Sequence, residues 1–65
     1  MKKVSYTVLL DANKDIDEIR DKIADVPDVV FVSRANGNTC TVEAKTNNEA
    51  SLKSAINAIP GAKVS

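Results

Sequence analysis

The stretch IADVPDVVFV at residues 23–32 returns as INAIPGAKVS at residues 56–65, and repetition inside so short a chain limits what it can fold into. An offset of 33 positions lays Leu52 on Ile19, Ile56 on Ile23, Ile59 on Val26 and Pro60 on Pro27, and carries Val64 onto Phe31. Upstream, Thr41-Val42 falls on Thr7-Val8 at an offset of 34, so the two copies differ by one residue in a loop. The chain is expected to be two similar units, each too small to cover its own strands.

Each unit reads as strand, helix, strand. Val4, Tyr6, Val8 and Leu10 alternate with Ser5, Thr7 and Leu9, the period-two pattern of a strand buried on one face. Ile16, Ile19, Ile23 and Val26 then recur at steps of three and four, which puts them on one side of a helix. Asp15 with Glu18 provides a capping-box start, and Pro27 ends the helix because its ring disfavours helical backbone in the residue before it. In the second unit TCTVEAK alternates, Thr46 or Asn48 can cap, and Leu52, Ala55, Ile56 and Ile59 form the apolar stripe that Pro60-Gly61 stops. Between the units, Asn36-Gly37 predicts a type I′ hairpin, since both residues tolerate positive φ.

The order is therefore β-α-β-β-α-β. Right-handed crossovers leave each unit's strand pair open to one strand of the other. Interleaving them predicts a ferredoxin-like α+β fold, one domain over residues 1–65, with a four-stranded antiparallel sheet and both helices on one face.

If Val64 points into the core, the repeat turns Phe31, Val29 and Ala62 the same way and leaves Val30, Val32 and Arg34 on the bare face with Lys63 and Ser65. Leu9, Thr7, Ser5, Glu43, Thr41 and Lys45 are expected to face outward as well. A bare face carrying Leu9, Val30 and Val32 is more apolar than a monomer needs. The run DVVFVSRA should also form a long edge strand, open to pairing with another chain. On the first helix Asp17, Asp21 and Asp25 recur every four residues, with Asp28 just beyond, giving an acidic ridge. Leu9, Val30, Val32, Arg34, Asp17, Asp21, Asp25 and Asp28 are thus the candidate partner-binding residues.

Composition removes several chemistries. Nine basic and nine acidic side chains cancel, so no overall field draws the chain to nucleic acid or anionic lipid. Both aromatics, Tyr6 and Phe31, are predicted inward, which leaves the sheet face without the stacking groups that single-strand binding uses. Nucleic acid is not an expected partner. With no histidine and one cysteine, Cys40, there is no internal disulfide, no zinc site of the usual kinds and no His-based triad. Cys40 is expected inward beside Val42 and Ala44. No catalytic residue, metal or cofactor is indicated. The longest apolar run falls far short of the roughly 20 residues of a membrane span, and MKK leads into an alternating, then acidic, stretch without a cleavage site. A cytoplasmic location away from membranes is expected.

The segments KKVSYTVLL, IRDKIADVPDVVFVS, NTCTVEAKT and LKSAINAIPGAKVS together resemble the heavy-metal-associated modules of the copper-chaperone type over nearly the whole chain. Where that family carries Met-x-Cys-x-x-Cys, this chain reads LLDANKDIDE, with none of the soft ligands monovalent copper needs. What the resemblance implies is the fold and a protein-binding role without the metal. VPDVVFVSRANG and IPGAKVS also resemble ACT-like and Lrp/AsnC ligand-sensing domains, which pair through their sheets and bind amino acids at the interface. The expected function is a non-enzymatic adaptor or inhibitor that binds another protein, or a second copy of itself, through the open face, the edge strand or the acidic ridge. The alternative is amino-acid sensing.

Overall fold

Alternating burial runs along the first strand, β1 (Lys2–Leu10): Val4, Val8 and Leu10 are buried while Ser5, Thr7 and Leu9 are exposed. The computed structural model describes all 65 residues, continuing with α1 (Ile16–Ala24), β2 (Val29–Val32), β3 (Thr39–Thr46), α2 (Glu49–Asn57) and β4 (Ala62–Val64). The sheet order is β2-β3-β1-β4 and every pairing is antiparallel. Both helices lie on one face. This is the ferredoxin-like α+β fold.

The repeat is visible in the core itself. Four large side chains are fully buried: Ile23, Ile56, Val8 and Val42. They form two repeat-related pairs, one from the helices and one from the central strands. Around them close Ile19, Leu52, Leu10, Val4, Ala44, Ala62 and Cys40. Each helix has only 9 residues, and isolated helices below about 12 residues are marginal in water, so this packing is what holds them. Side-chain caps start both. Asp15 accepts a hydrogen bond from the Glu18 N–H at 3.2 Å, and Asn48 accepts one from the Ser51 N–H at 3.1 Å. Buried Thr46 is a second support rather than the cap, its hydroxyl oxygen accepting from the Asn48 N–H at 3.0 Å.

After each helix the chain turns through a Pro-led step with positive φ, 77° at Asp28 and 88° at Gly61. A Cβ on Gly61 would lie 2.8 Å from Ile19 Cδ1 and 2.9 Å from Lys14 Cδ, so that copy requires glycine. The first copy holds a carboxylate residue in the same left-handed conformation, which Asp tolerates better than most.

Three expectations about β2 and its hairpin are corrected. First, the facing is exchanged. Val29 pairs with Ala44 and Val32 with Val42, both on the core face, while Phe31 pairs with Glu43 on the open face, and the register slips between Val29 and Phe31. Val30 is the extra residue of a β-bulge. The bulge keeps Val29 and Val32 against the core and leaves Val30 and Phe31 adjacent on the solvent side. Val32 therefore does not belong to the bare face, and Phe31 does. The copy in β4 has no bulge, so Val64, opposite Val8, corresponds in space to Val32 rather than to Phe31. Second, the edge strand is short and bulged, 4 residues rather than a long ribbon, and both features blunt edge-to-edge pairing. Third, Asn36 bridges Thr39, which makes Gly37-Asn38 the two-residue turn. Gly37 has φ 67° and Asn38 does not share the positive region, the pattern of a type II′ turn rather than type I′.

Candidate interaction surface on the open sheet face

Pairing register defines the open face residue by residue. Lys3 stands opposite Lys45, Ser5 opposite Glu43, Thr7 opposite Thr41, and Leu9 between Thr39 and Lys63. At the edge, Val30 and Phe31 flank Glu43 and are 65% and 53% exposed, with Leu9 at 41% toward the other end. Burying those apolar groups on a partner is favourable by about 25 cal/mol per Å2 removed from water. Nothing in the fold itself covers them.

Charge on this face is unbalanced. Glu43 is the only acidic residue in any strand, so the other eight acids lie on helices and loops. Lys3 and Lys45 face outward in the next outward row of the ladder beside it, and Lys63 faces outward on β4 next to Leu9, at the far edge of the sheet. The ion pairs of the molecule are Lys2–Glu49, Arg20–Asp17 and Lys22–Glu18, none of which involves these three lysines. Like charges directly across a ladder, as at Lys3 and Lys45, oppose the pairing of their strands. Lys3, Lys45, Val30, Glu43 and Ala44 also line a shallow cleft of about 220 Å3. A chain of zero net charge thus carries a basic sheet face and an acidic helical side.

The four candidate aspartates are not brought to this face. Asp17, Asp21, Asp25 and Asp28 are exposed on the helical side. Asp17 is partly neutralised by Arg20, whose Nη1 lies 3.3 Å from it and whose Nε donates to the Ser33 carbonyl at 2.8 Å. That bond ties α1 to the end of β2. With its carbonyl so engaged, Ser33 presents its Oγ to accept from the Thr41 N–H at 2.8 Å. Asp25 is the C-cap of α1 and has no ion-pair partner. Arg34 is exposed just past β2.

Three titratable groups, Tyr6, Glu49 and Cys40, have environments that decide their chemistry. Tyr6 donates its hydroxyl to Glu49 Oε1 at 2.8 Å, Lys2 reaches Oε2 at 3.4 Å, and Lys53 Nζ lies 5.2 Å from the phenol ring centroid. Burial and the adjacent carboxylate push the Tyr6 pKa up to about 12, while the phenol and Lys2 hold Glu49 below the usual carboxylate range. This cluster pins β1 to the start of α2. Burial pushes the Cys40 thiol up, with Arg20 opposing, so the thiol is a core group rather than an activated nucleophile. No group of three His, Cys, Asp or Glu side chains is arranged to hold a metal. No helix is long and apolar enough to cross a membrane.

The signal that sequence reasoning missed is Phe31. Its neighbours in VVFV are all apolar, so alternation alone could not say which of them faced water. Comparison with family models, with curated proteins and with solved structures returned no match for this chain.

Proposed function

We propose that the chain is a non-enzymatic protein-binding module that docks a partner on its open sheet face, with Val30 and Phe31 as the apolar anchor, Lys3 and Lys45 beside it and Lys63 at the far edge of the same face. The observation that carries this reading is the β-bulge, which sets two large apolar side chains side by side in solvent while the core is complete without them. An aromatic anchor within a polar, solvent-accessible rim is the usual anatomy of a protein interface. The unpaired lysines add a preference for an acidic partner surface. A second copy apposed face to face would bring two sets of lysines together, so a different protein is the better fit than a homodimer. The blunted β2 edge and the acidic ridge are weaker supports for docking than the face itself.

Affinity capture with the intact chain from its native cells tests this when three variants are run in parallel. Phe31→Lys and Val30→Lys should lose the captured protein and Asp21→Lys should retain it, with capture weakening as salt is raised. Retention by both open-face variants, or loss only on Asp21→Lys, would move the interface to the helical side.

A further inference from the structure

We infer that Asn36 is a site of spontaneous covalent modification in the folded protein, converting through a succinimide to aspartate and isoaspartate. This inference is independent of the docking reading. The chain has asparagines at positions 13, 36, 38, 47, 48 and 57, and Asn36 alone is followed by glycine. Formation of a cyclic imide requires the next residue's amide nitrogen to reach the asparagine side chain, and a residue without Cβ leaves that approach open.

The fold preserves the opportunity. Asn36 and Gly37 are both exposed at the hairpin tip. A Cβ placed on Gly37 would meet nothing within 4 Å. The Gly37 N–H has no acceptor in the protein, and the Asn36 carboxamide makes no hydrogen bond, its backbone alone being engaged with Thr39. Of the other five side chains two are occupied, Asn48 Oδ1 capping α2 and Asn57 Oδ1 accepting from the Val64 N–H at 2.8 Å, while Asn13, Asn38 and Asn47 lack the following glycine. The nucleophile and the electrophile at 36–37 are therefore both unencumbered.

The reaction needs only water. The Gly37 nitrogen, giving up its proton to base, bonds to Asn36 Cγ; the Cγ–Nδ2 bond breaks and Nδ2 leaves as ammonia after taking a proton from solvent. No electron is gained or lost overall. One water then opens the imide. Cleavage of the nitrogen–Cγ bond returns an ordinary peptide link with an aspartate side chain. Cleavage of the bond to the α-carbonyl carbon instead routes the main chain through Cγ, giving isoaspartate. That product lengthens the backbone inside a two-residue turn, so the Asn36–Thr39 bridge, with its 2.7 Å and 3.3 Å backbone bonds, no longer closes. Either product adds one negative charge at the end of the sheet where Thr39 and Leu9 lie side by side.

The test is incubation of the intact folded chain for several days at mildly alkaline pH, followed by intact mass and tryptic mapping. The fragment released between Arg34 and Lys45 contains both Asn36 and Asn38, which fragment ions separate. The expected result is a gain of one mass unit confined to position 36, in two chromatographically distinct products, one of them isoaspartate, and its absence in Asn36→Gln. A parallel sample in urea is the control for the role of the fold. Conversion in urea but none in the folded protein would overturn the inference, because the hairpin would then be protecting the site. Faster conversion at any other asparagine would overturn it as well.

Discussion

Replacing Val32 and Phe31 in turn by lysine separates the two faces of β2. Val32 lies across from Val42, which is fully buried, and packs against the core. Removing its apolar burial forfeits about 1–2 kcal/mol, part of the 1.5–3 kcal/mol for a fully buried side chain of this class. An ammonium brought under the helices adds a desolvation cost of about 1–3 kcal/mol. Val32→Lys should therefore cost roughly 3 kcal/mol, a large share of the roughly 3–10 kcal/mol available to a chain of this length. Phe31 lies across from Glu43 on the open face. A lysine there loses some packing and gains an opposite-charge cross-strand pair of about 0.2–1 kcal/mol, for a net loss under about 1 kcal/mol. Urea unfolding followed by circular dichroism reads the contrast. With a slope near 1 kcal/mol per molar urea for a small protein, the two midpoints should differ by about 2 M. Midpoints that coincide, or a lower one for Phe31→Lys, would refute the bulged register and with it the anchor.

Three other outcomes are expected. Asp25→Lys, at the C-cap of α1 and one turn after Asp21, should raise stability by about 0.5–1 kcal/mol by favouring the helix dipole and ending a like-charge pair, and the gain should shrink with added salt. Gly61→Ala should cost about 1–3 kcal/mol through its left-handed backbone and its contact with Ile19, whereas Asp28→Gly at the matching position should gain about 0.5 kcal/mol; thermal unfolding measures both. Ultraviolet titration should place ionisation of the Tyr6 phenol near 12 rather than 10.0. Because the folded pKa lies above the unfolded one, this group's stabilisation is complete below pH 10.0, declines as pH rises toward 12, and disappears in Tyr6→Phe.

Most of the fold was legible because it rests on periodicity. Ile19 and Ile23, Leu52 and Ile56, and Val8 and Val42 each keep their face over enough residues for the pattern to be unambiguous, and Asp15 and Pro27 mark helix ends by their own chemistry. β2 was not legible to the same degree. A strand's side chains alternate strictly, so one extra residue exchanges every subsequent face. Continuous pairing back from Asn36–Thr39 would set Phe31 against Ala44 and so inward. The real strand slips where the Ser33 hydroxyl replaces a carbonyl for Thr41, and again at Val30. VVFV contains no polar residue to report either slip. The repeat itself encouraged the inward assignment, because it transfers the unbulged register of β4 onto β2. The turn was displaced for a related reason: Asn36-Gly37 favours type I′ locally, but the bridge at Asn36 moves glycine to the first turn position. As for the candidate surface, Leu9 and Val30 were found from the sequence. Phe31 and the unpaired Lys3–Lys45 couple required the strand register.

The most direct test of the exchanged faces is an edited nuclear Overhauser experiment on the methyl- and aromatic-labelled protein. Val32 methyls should give cross-peaks to those of Val42, while the Phe31 ring should reach the Glu43 side chain and remain silent toward the Val42 and Ile23 methyls. Strong peaks from the Phe31 ring to Val42 and Ile23, with Val32 seeing neither, would show that β2 runs without its bulge and that the open face lacks its aromatic anchor.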